Sequence, residues 1–498
     1  MTGTRATAGA AWLVSGRLVA RLIDLATLLL LARLLTPGDF GVVAVAMTLI
    51  YIVEAVLELP VGCVLVQMQK PERVHYDTAF TLGLLRGLVL AGVLCAVAWP
   101  YAVIFDDPRL ATIVIALGLA PIMRGCVSPR LAHYTRELRF ERDCAMIVIG
   151  KIASLAAAIS TALLHGSYWA LVAATVAGPS TMVLVSYLLA PYRPRLTLAE
   201  LPVFKGFLGW LSAAQVVSAI NWQCDRLFLG KLVGRSELGQ FSVAGDLAGL
   251  PIQTLAIPIA APLFPALSQV RAEPDRLQAT FVAGIGAIVA ICWPVMIGLA
   301  MLAEPLVLLV LGQQWSASIV LVQLLAVAGA FAVIAFPSGA LALAMGRTKL
   351  VFQRGLIEFA VKLPAMFVAG LAFGLIGIAY ARILADVTMM VINLLIARHL
   401  IGVDMRSQLG VCLRPLAGVT VMAFVLSALR PERADLSQPI EVVLWLLAVT
   451  IAGGIAYVAT LMGLWRLAGR PIGIESELMR LGASLRYRAF RTRSDATA

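Results

Sequence analysis

Charge is scarce in this chain. Only 13% of its 498 residues are Asp, Glu, Lys or Arg, against 61% hydrophobic. With a mean hydropathy of +0.94, a soluble domain is excluded, because it could not cover that much apolar surface. Histidine is rarer still. His75, His133, His165 and His399 stand far apart and lack metal-ligand spacing. The seven cysteines form no C-x-x-C pair and lie in or beside apolar runs, so they read as packing residues without a disulfide framework or zinc site. Also missing are G-x-S-x-G, G-x-x-x-x-G-K-[ST] and H-E-x-x-H. The sequence therefore assigns no catalytic residue, no metal, no cofactor and no nucleotide-hydrolysing part. The apolar runs lack the period-two alternation of a membrane β-barrel. Long polar connections are absent too, so no soluble domain is inserted.

What is present is a succession of apolar runs of bilayer length. Fourteen can be placed, from 9–35 to 440–465, among them 110–133, 350–372 and 375–397. The expected fold is an all-α polytopic membrane protein with about fourteen transmembrane helices. The first run is too long for a signal-peptide core and reads as a retained helix. Loop Lys and Arg set the orientation. On one side 23 fall, including Lys70, Arg73, Arg139, Arg193, Arg347 and the basic tail; the other side has five, Arg109, Lys231, Arg235, Arg430 and Arg433. Both termini are expected in the cytoplasm. The same placement accounts for the formal charge of +12 without invoking nucleic acid. The tail stretch 477–490 reads either as an amphipathic helix on the anionic leaflet or as a solvated basic segment. Trp12, Trp99, Tyr101, Trp169, Trp315 and Trp465 fall near helix ends and read as an interfacial belt, whereas Trp210 and Trp222 read as packed.

The chain also echoes itself. At an offset of 198, residues 29–35 (Leu-Leu-Leu-Ala-Arg-Leu-Leu) fall on 227–233 (Leu-Phe-Leu-Gly-Lys-Leu-Val), Asp39 on Glu237, Gly41 on Gly239 and Pro60 on Pro258. Further along the offset is 208, pairing Pro129 with Pro337, Arg139 with Arg347 and Gly166 with Gly374. Six helices per half is an even number, so the halves share one orientation, as in parallel transporter repeats. The expected organisation is two pseudo-symmetric six-helix lobes, 1–195 and 196–400, then two appended helices over 401–466 and a basic tail over 467–498.

Ionisable residues inside the runs need a reason, since each costs about 2.5–3.5 kcal/mol at a helix centre. Arg17, Arg21 and Asp24 recur at i, i+4 and i+7 and form one stripe. Glu54 and Glu58 share a face of the second run. Glu358–Lys362 and Arg382–Asp386 are opposite-charge pairs one turn apart. Arg86, Arg124 and Lys151 have no partner on their own helices. The first half thus holds five cations against Asp24, Glu54 and Glu58. Buried struts or snorkelling side chains account for part of this set. The positive surplus points instead to a water-lined cavity receiving an anion, and the arginine fork suits phosphate oxygens.

Several stretches in order carry a family likeness. They are Leu-Ala-Arg-Leu-Leu-Thr-Pro-Gly-Asp-Phe-Gly at 31–41, Asp-Arg-Leu-Phe-Leu-Gly at 225–230, Leu-Gly-Gln-Phe-Ser-Val-Ala at 238–244 and Leu-Gly-Gln-Gln-Trp at 311–315. Together they resemble the polysaccharide transporter family, the Wzx-type lipid-linked oligosaccharide flippases of the MOP superfamily. The resemblance implies a two-lobed transporter that moves an undecaprenyl-diphosphate-linked oligosaccharide between leaflets of the bacterial inner membrane by alternating access. The glycan would be a lipopolysaccharide, exopolysaccharide or capsule precursor. It implies a cationic cavity, matched here by Arg17, Arg21, Arg86, Arg124 and Lys151. It also implies ion coupling or gating, for which Asp24, Glu54, Glu58, Asp225, Glu358 and Asp386 are the candidates. Membrane lipids, a polysaccharide polymerase and a chain-length regulator are the implied partners. Pro60 stands where relatives often have glycine.

The competing readings are a peptidoglycan-precursor flippase, a MATE-like cation-coupled drug antiporter, a membrane polymerase or glycosyltransferase, and a non-transporting scaffold. A cation exporter should line its cavity with carboxylates, and a polymerase should carry a long outward loop. The cationic excess of the first half argues against the former, and the short outward loops argue against the latter.

Overall fold

In a computed structural model the chain is described over residues 2–56, 65, 68, 71–137, 139–202, 210–429 and 439–469. Glu58, Pro60, Cys63 and the 477–490 stretch lie outside these residues. The described residues form helices and no strand. Among the described residues, ten helices are long and apolar enough to cross a membrane. That establishes an all-α, multi-pass membrane protein and leaves the number fourteen as an expectation.

The helices in chain order are α1 (Thr2–Leu34), α2 (Pro37–Val56), α3 (Arg73–Ile104), α4 (Arg109–Leu117), α5 (Leu119–Gly125), α6 (Leu131–Arg136), α7 (Glu141–His165), α8 (Trp169–Leu189), α9 (Trp210–Leu232) and α10 (Arg235–Pro251). A π turn and two short helices follow. Then come α11 (Pro274–Met301), α12 (Ala303–Val310), α13 (Ser318–Ala332), α14 (Phe336–Ala344), α15 (Thr348–Ile401), α16 (Met405–Gly410), α17 (Leu413–Ala428) and α18 (Pro439–Leu467).

The expected single segment 110–133 is in fact three short helices, α4 to α6. Gly118 and Pro129 stand where the chain is interrupted. Its echo around Pro337 is broken in the same way, by a 3-10 turn between α13 and α14. Conversely, α15 runs for 54 residues but breaks at Gly374, whose backbone (φ 59°, ψ −137°) is out of reach for most side chains. There the chain doubles back, because Gly370 meets Ile378. Gly166, the echo of Gly374, makes the turn between α7 and α8 with a positive φ of 55° as well, but at ψ 37° it is left-handed helical where Gly374 is not.

The contacts divide the chain into two compact units. The first contains Met1–Val243, Val310–Trp315 and Phe352–Ile378; the second contains Ala244–Leu309, Ser316–Val351 and Ala379–Ala498. The second unit is centred on α11, where Phe281, Ile285 and Val289 are buried with Ile334, Leu341 and Leu394. Tyr457 Oη donates to the Ala290 carbonyl at 2.6 Å and ties α18 to it.

In the first unit, small residues let helices approach closely. Gly83 of α3 faces Gly125 of α5, and one turn on Gly87 faces Ile122. A more telling contact joins α2 to α10. The sequence Thr-Pro-Gly-Asp is the start of α2. Thr36 caps it, its amide donating to Asp39 Oδ2 at 3.0 Å while the Asp39 amide returns to Thr36 Oγ1 at 3.3 Å, and Pro37 takes the first helical position. In the echo, the Gly234 amide donates to Glu237 at 3.4 Å. The two helix starts then cross. Gly41 lies against the backbone of Arg235, and Gly239 against the backbone of Pro37. Since Arg235 is the echo of Pro37 and Gly239 that of Gly41, this is one contact made twice, as a two-fold axis requires.

The cations near the ends of α1 and α9 repeat the relation. Arg33 Nε donates to the Val310 carbonyl at 2.8 Å, and its echo Lys231 donates to the Ile104 carbonyl at 2.7 Å. Each carbonyl ends a helix, where the macrodipole favours a cation. Lys231 also pairs with Asp106 at 2.7 Å, and Arg235 with Asp107 at 3.3 Å. The hydrogen bond and charge of Lys231 hold the Asp106 carboxyl below the usual carboxylate range. Burial works to raise Asp107, but Arg109 and Arg235 outweigh it and hold that carboxyl low as well. Groups with depressed values contribute stability above their ordinary range and lose it only in acid, so neither aspartate titrates near neutrality.

The aromatic reading needs correction in part. Trp12 and Trp99 are exposed as expected, but Trp315 is fully buried. Its indole donates to the Ala32 carbonyl at 2.8 Å and its ring meets Phe40 edge-on. Tyr101 is buried likewise, donating to the Val45 carbonyl at 2.9 Å, and Trp465 is 6% exposed. Trp222, expected to be packed, is 53% exposed. Near a helix end, sequence alone does not separate a lipid interface from a protein one.

The crossing makes a direct prediction. Gly41→Ala and Gly239→Ala should each lower the thermal stability of the purified protein by about 1–3 kcal/mol through overpacking against backbone. Gly92→Ala, on α3 with open space around it, should be neutral or slightly stabilising.

Candidate functional site

Three clusters hold most of the membrane charges described in the first unit. The first lines a cavity of about 730 Å³ in the first unit, walled by α2, α3, α5 and the start of α7. The glycine contacts of α3 with α5 bring Arg86 and Arg124 to the same wall as Glu54. Arg124 Nη1 donates to both oxygens of Glu54, at 2.7 and 2.8 Å. Arg86 Nη2 donates to the Glu54 backbone carbonyl at 3.2 Å, while its Nε is buried without a partner. Using a single nitrogen on the carboxylate leaves the rest of the Arg124 fork available, and its side chain is 44% exposed. Asp143 lines the same cavity, held by the Thr135 hydroxyl at 2.7 Å. Two guanidiniums therefore face two carboxyl groups.

The second cluster lies where α1 packs on α7, with Gly16 against Cys144. Lys151 Nζ meets Asp24 at 2.6 Å, and Arg21 approaches the same carboxylate at 3.9 Å. Arg17, on the same stripe, is exposed and makes no ion pair among the described residues. The positive surplus expected in the first half is thus found here, on α1, rather than in the 730 Å³ cavity. The structure brings Arg86, Arg124 and Glu54 together, and separately Arg21, Asp24 and Lys151.

The third cluster is buried between α9 and the first half of α15. Lys362 is 2% and Asp225 4% exposed, and they form an ion pair. Lys362 also donates to the Asn221 carbonyl at 2.6 Å, and Asn221 donates to the Gly355 carbonyl at 2.8 Å. The expected Glu358–Lys362 pair is therefore corrected: the lysine turns across to α9, where a buried carboxylate offers a stronger partner than a half-buried one on its own helix. Arg382–Asp386, by contrast, is found as expected, at 2.9 Å.

The comparisons can now be placed beside this geometry. A family model described as "Polysaccharide biosynthesis protein" matches residues 30–320. The chain belongs to that family. Its relatives include the lipopolysaccharide biosynthesis protein WzxC of Escherichia coli, 23% identical over 90% of this chain and 88% of that one. The succinoglycan biosynthesis transport protein ExoT of Rhizobium meliloti is 25% identical over 58% of this chain and 59% of that one. Among solved structures, the lipid II flippase MurJ in an inward closed conformation shares the fold. Its TM-score is 0.69 at 14% identity, covering 92% of this chain and all of that one.

For this member of the polysaccharide biosynthesis family, sequence reasoning missed Asp143 and Asn221. Asp143 sits in the first turn of α7 beside loop charges and looked like one of them. Asn221 is uncharged, and only its placement one turn before Asp225 could have marked it.

Two tests follow. In a double-mutant cycle, Glu54→Gln and Arg124→Gln should show a coupling of about 1 kcal/mol, since the arginine is half exposed. For the buried pair, Asp225→Asn or Lys362→Met alone should destabilise by about 3–5 kcal/mol, while Asp225→Leu with Lys362→Met together should be far better tolerated. Thermal unfolding of detergent-purified variants reads both.

Proposed function

We propose that this protein is a flippase for undecaprenyl-diphosphate-linked oligosaccharide, a precursor of lipopolysaccharide, exopolysaccharide or capsule. It works in the bacterial inner membrane, with fourteen spans, both termini in the cytoplasm and two six-helix lobes over 1–195 and 196–400. The observation that carries the reading is the Arg124–Glu54 pair, with Arg86 behind it, in a 730 Å³ cavity of a polysaccharide biosynthesis family member.

A diphosphate cannot cross hydrocarbon unaided, because removing its charge from water costs too much. In the resting protein Glu54 occupies the place of that anion on Arg124. An arriving diphosphate takes the guanidinium fork, which matches phosphate geometry, and releases Glu54. Arg17, Arg21 and Lys151 supply further positive charge along the path. Glu54 and Asp24, each bonded to a cation that the substrate also attracts, are the groups for ion coupling or gating. Asp225, sealed against Lys362, is assigned a positional role in that scheme, with Glu358, Asp386 and the undescribed Glu58 as further gating candidates. The lipid tail stays in the bilayer throughout. The protein performs no covalent chemistry. Membrane lipids, a polymerase and a chain-length regulator are its working partners.

Deletion of the gene should abolish surface polysaccharide and accumulate the lipid-linked intermediate in the cytoplasmic leaflet. Complementation by Arg124→Ala or Arg86→Ala, at wild-type protein level, should restore less than about a tenth of the polymer, the loss expected of one charge-assisted contact. Full restoration by both variants would remove the cavity from the mechanism.

A further inference from the structure

A second basic hollow lies outside the three clusters. It has a volume of about 650 Å³ and is lined by Arg73, Tyr76, Arg130, His133, Tyr192 and Arg193, with Pro71 and Pro191 at its edge. These residues come from the start of α3, the loop before α6 and the segment that leaves α8. Loop charges place all of them on the cation-rich side of the membrane.

The hollow is held in shape by bonds that use only part of each guanidinium. Arg130 Nη1 donates to the Pro191 carbonyl at 2.9 Å. Arg73 Nη2 donates to the Arg193 carbonyl at 3.3 Å, and its Nε lies 3.8 Å from Asp77. Arg193 makes no side-chain bond among the described residues. The wall behind them is firm. Asp77, 4% exposed, accepts from Tyr192 Oη at 2.8 Å and from the Arg195 amide at 2.9 Å, and Thr81 accepts from the Thr197 amide at 3.0 Å. Ser128 Oγ donates to the Ala190 carbonyl at 2.8 Å. Asp77 is therefore spent on the wall, and Glu137 is spent on His133 at 3.2 Å. What remains open is three arginine edges around a space of headgroup size.

Location supplies the second half of the argument. The helix that leads into the hollow, α8, ends with Leu184 and Leu188, 69% and 79% exposed, the kind of surface acyl chains cover. Basic pockets at the charge-rich end of transmembrane helices suit anionic headgroups. We propose that this hollow is a binding site for a lipid-borne anionic phosphate at the cytoplasmic interface, separate from the Arg86–Arg124 cavity. The proposal does not rest on the translocation reading: an anionic phospholipid would satisfy it as well as a polyprenyl diphosphate.

The test is native mass spectrometry of the full chain after delipidation. Phosphatidylglycerol, undecaprenyl diphosphate and phosphatidylcholine are added back separately to the wild type and to an Arg73→Gln/Arg130→Gln/Arg193→Gln variant. Any contribution of the central cavity is common to both proteins and cancels in the difference. The triple variant should bind phosphatidylglycerol, undecaprenyl diphosphate or both at least about tenfold more weakly, while phosphatidylcholine is unaffected. Loss of the first identifies a bulk lipid, and loss of the second alone identifies the diphosphate lipid. The corresponding triple Lys variant keeps the charge and should recover part of the binding, which separates recognition from misfolding. Wild-type binding of both anionic lipids by the Gln variant would overturn the proposal.

Discussion

Two helix starts cross with no side chain between them. Gly41 rests on the backbone of Arg235 and Gly239 on that of Pro37. A methyl group at either position would meet a carbonyl. Because the contact is made by repeat mates, it closes on itself. Around it, Arg33 and Lys231 sit on helix-terminal carbonyls, and Asp106 and Asp107 bind Lys231 and Arg235. The glycines set the distance; of the cation contacts Lys231–Asp106 is exposed and worth little, while Arg235–Asp107 is largely buried.

The membrane charges follow a different economy. An isolated ion at depth is costly, so nearly every one described has a partner within reach. The degree of burial separates their uses. Lys362 and Asp225 are sealed, and breaking them would leave an ion in the core. Arg124 and Glu54 face a cavity, and Lys151 and Asp24 are over a third exposed, so water or an anionic group can replace either partner. In the proposed function, exchange of ion-pair partners lets the site take an anion without leaving a guanidinium bare.

Much of this was legible in the sequence. Apolar run length carried the fold class, and the 198-residue echo carried the crossing, although only coordinates reveal that Gly41 and Gly239 answer each other. The broken segment 110–133 was less visible, since Gly118 and Pro129 are common within transmembrane helices and interrupt only some of them. Pairing across helices was illegible: Arg86, Arg124 and Lys151 looked partnerless because periodicity reports a single helix, and Lys362 was given its neighbour Glu358 for the same reason. The positive surplus of the first half pointed to an anion, and the family likeness supplied the lipid-linked oligosaccharide; the Arg86–Arg124 cavity, once Asp143 is counted, holds no such surplus.

The proposed function requires the α2–α10 crossing to open during transport. Spin labels at Thr36→Cys and Ser236→Cys, both exposed at the starts of these helices, report the separation directly. Pulsed dipolar measurements on the protein in nanodiscs should give one short distance at rest and a second, longer population when lipid-linked oligosaccharide is present. A single unchanged distance, in a protein that still translocates its substrate, would contradict the account.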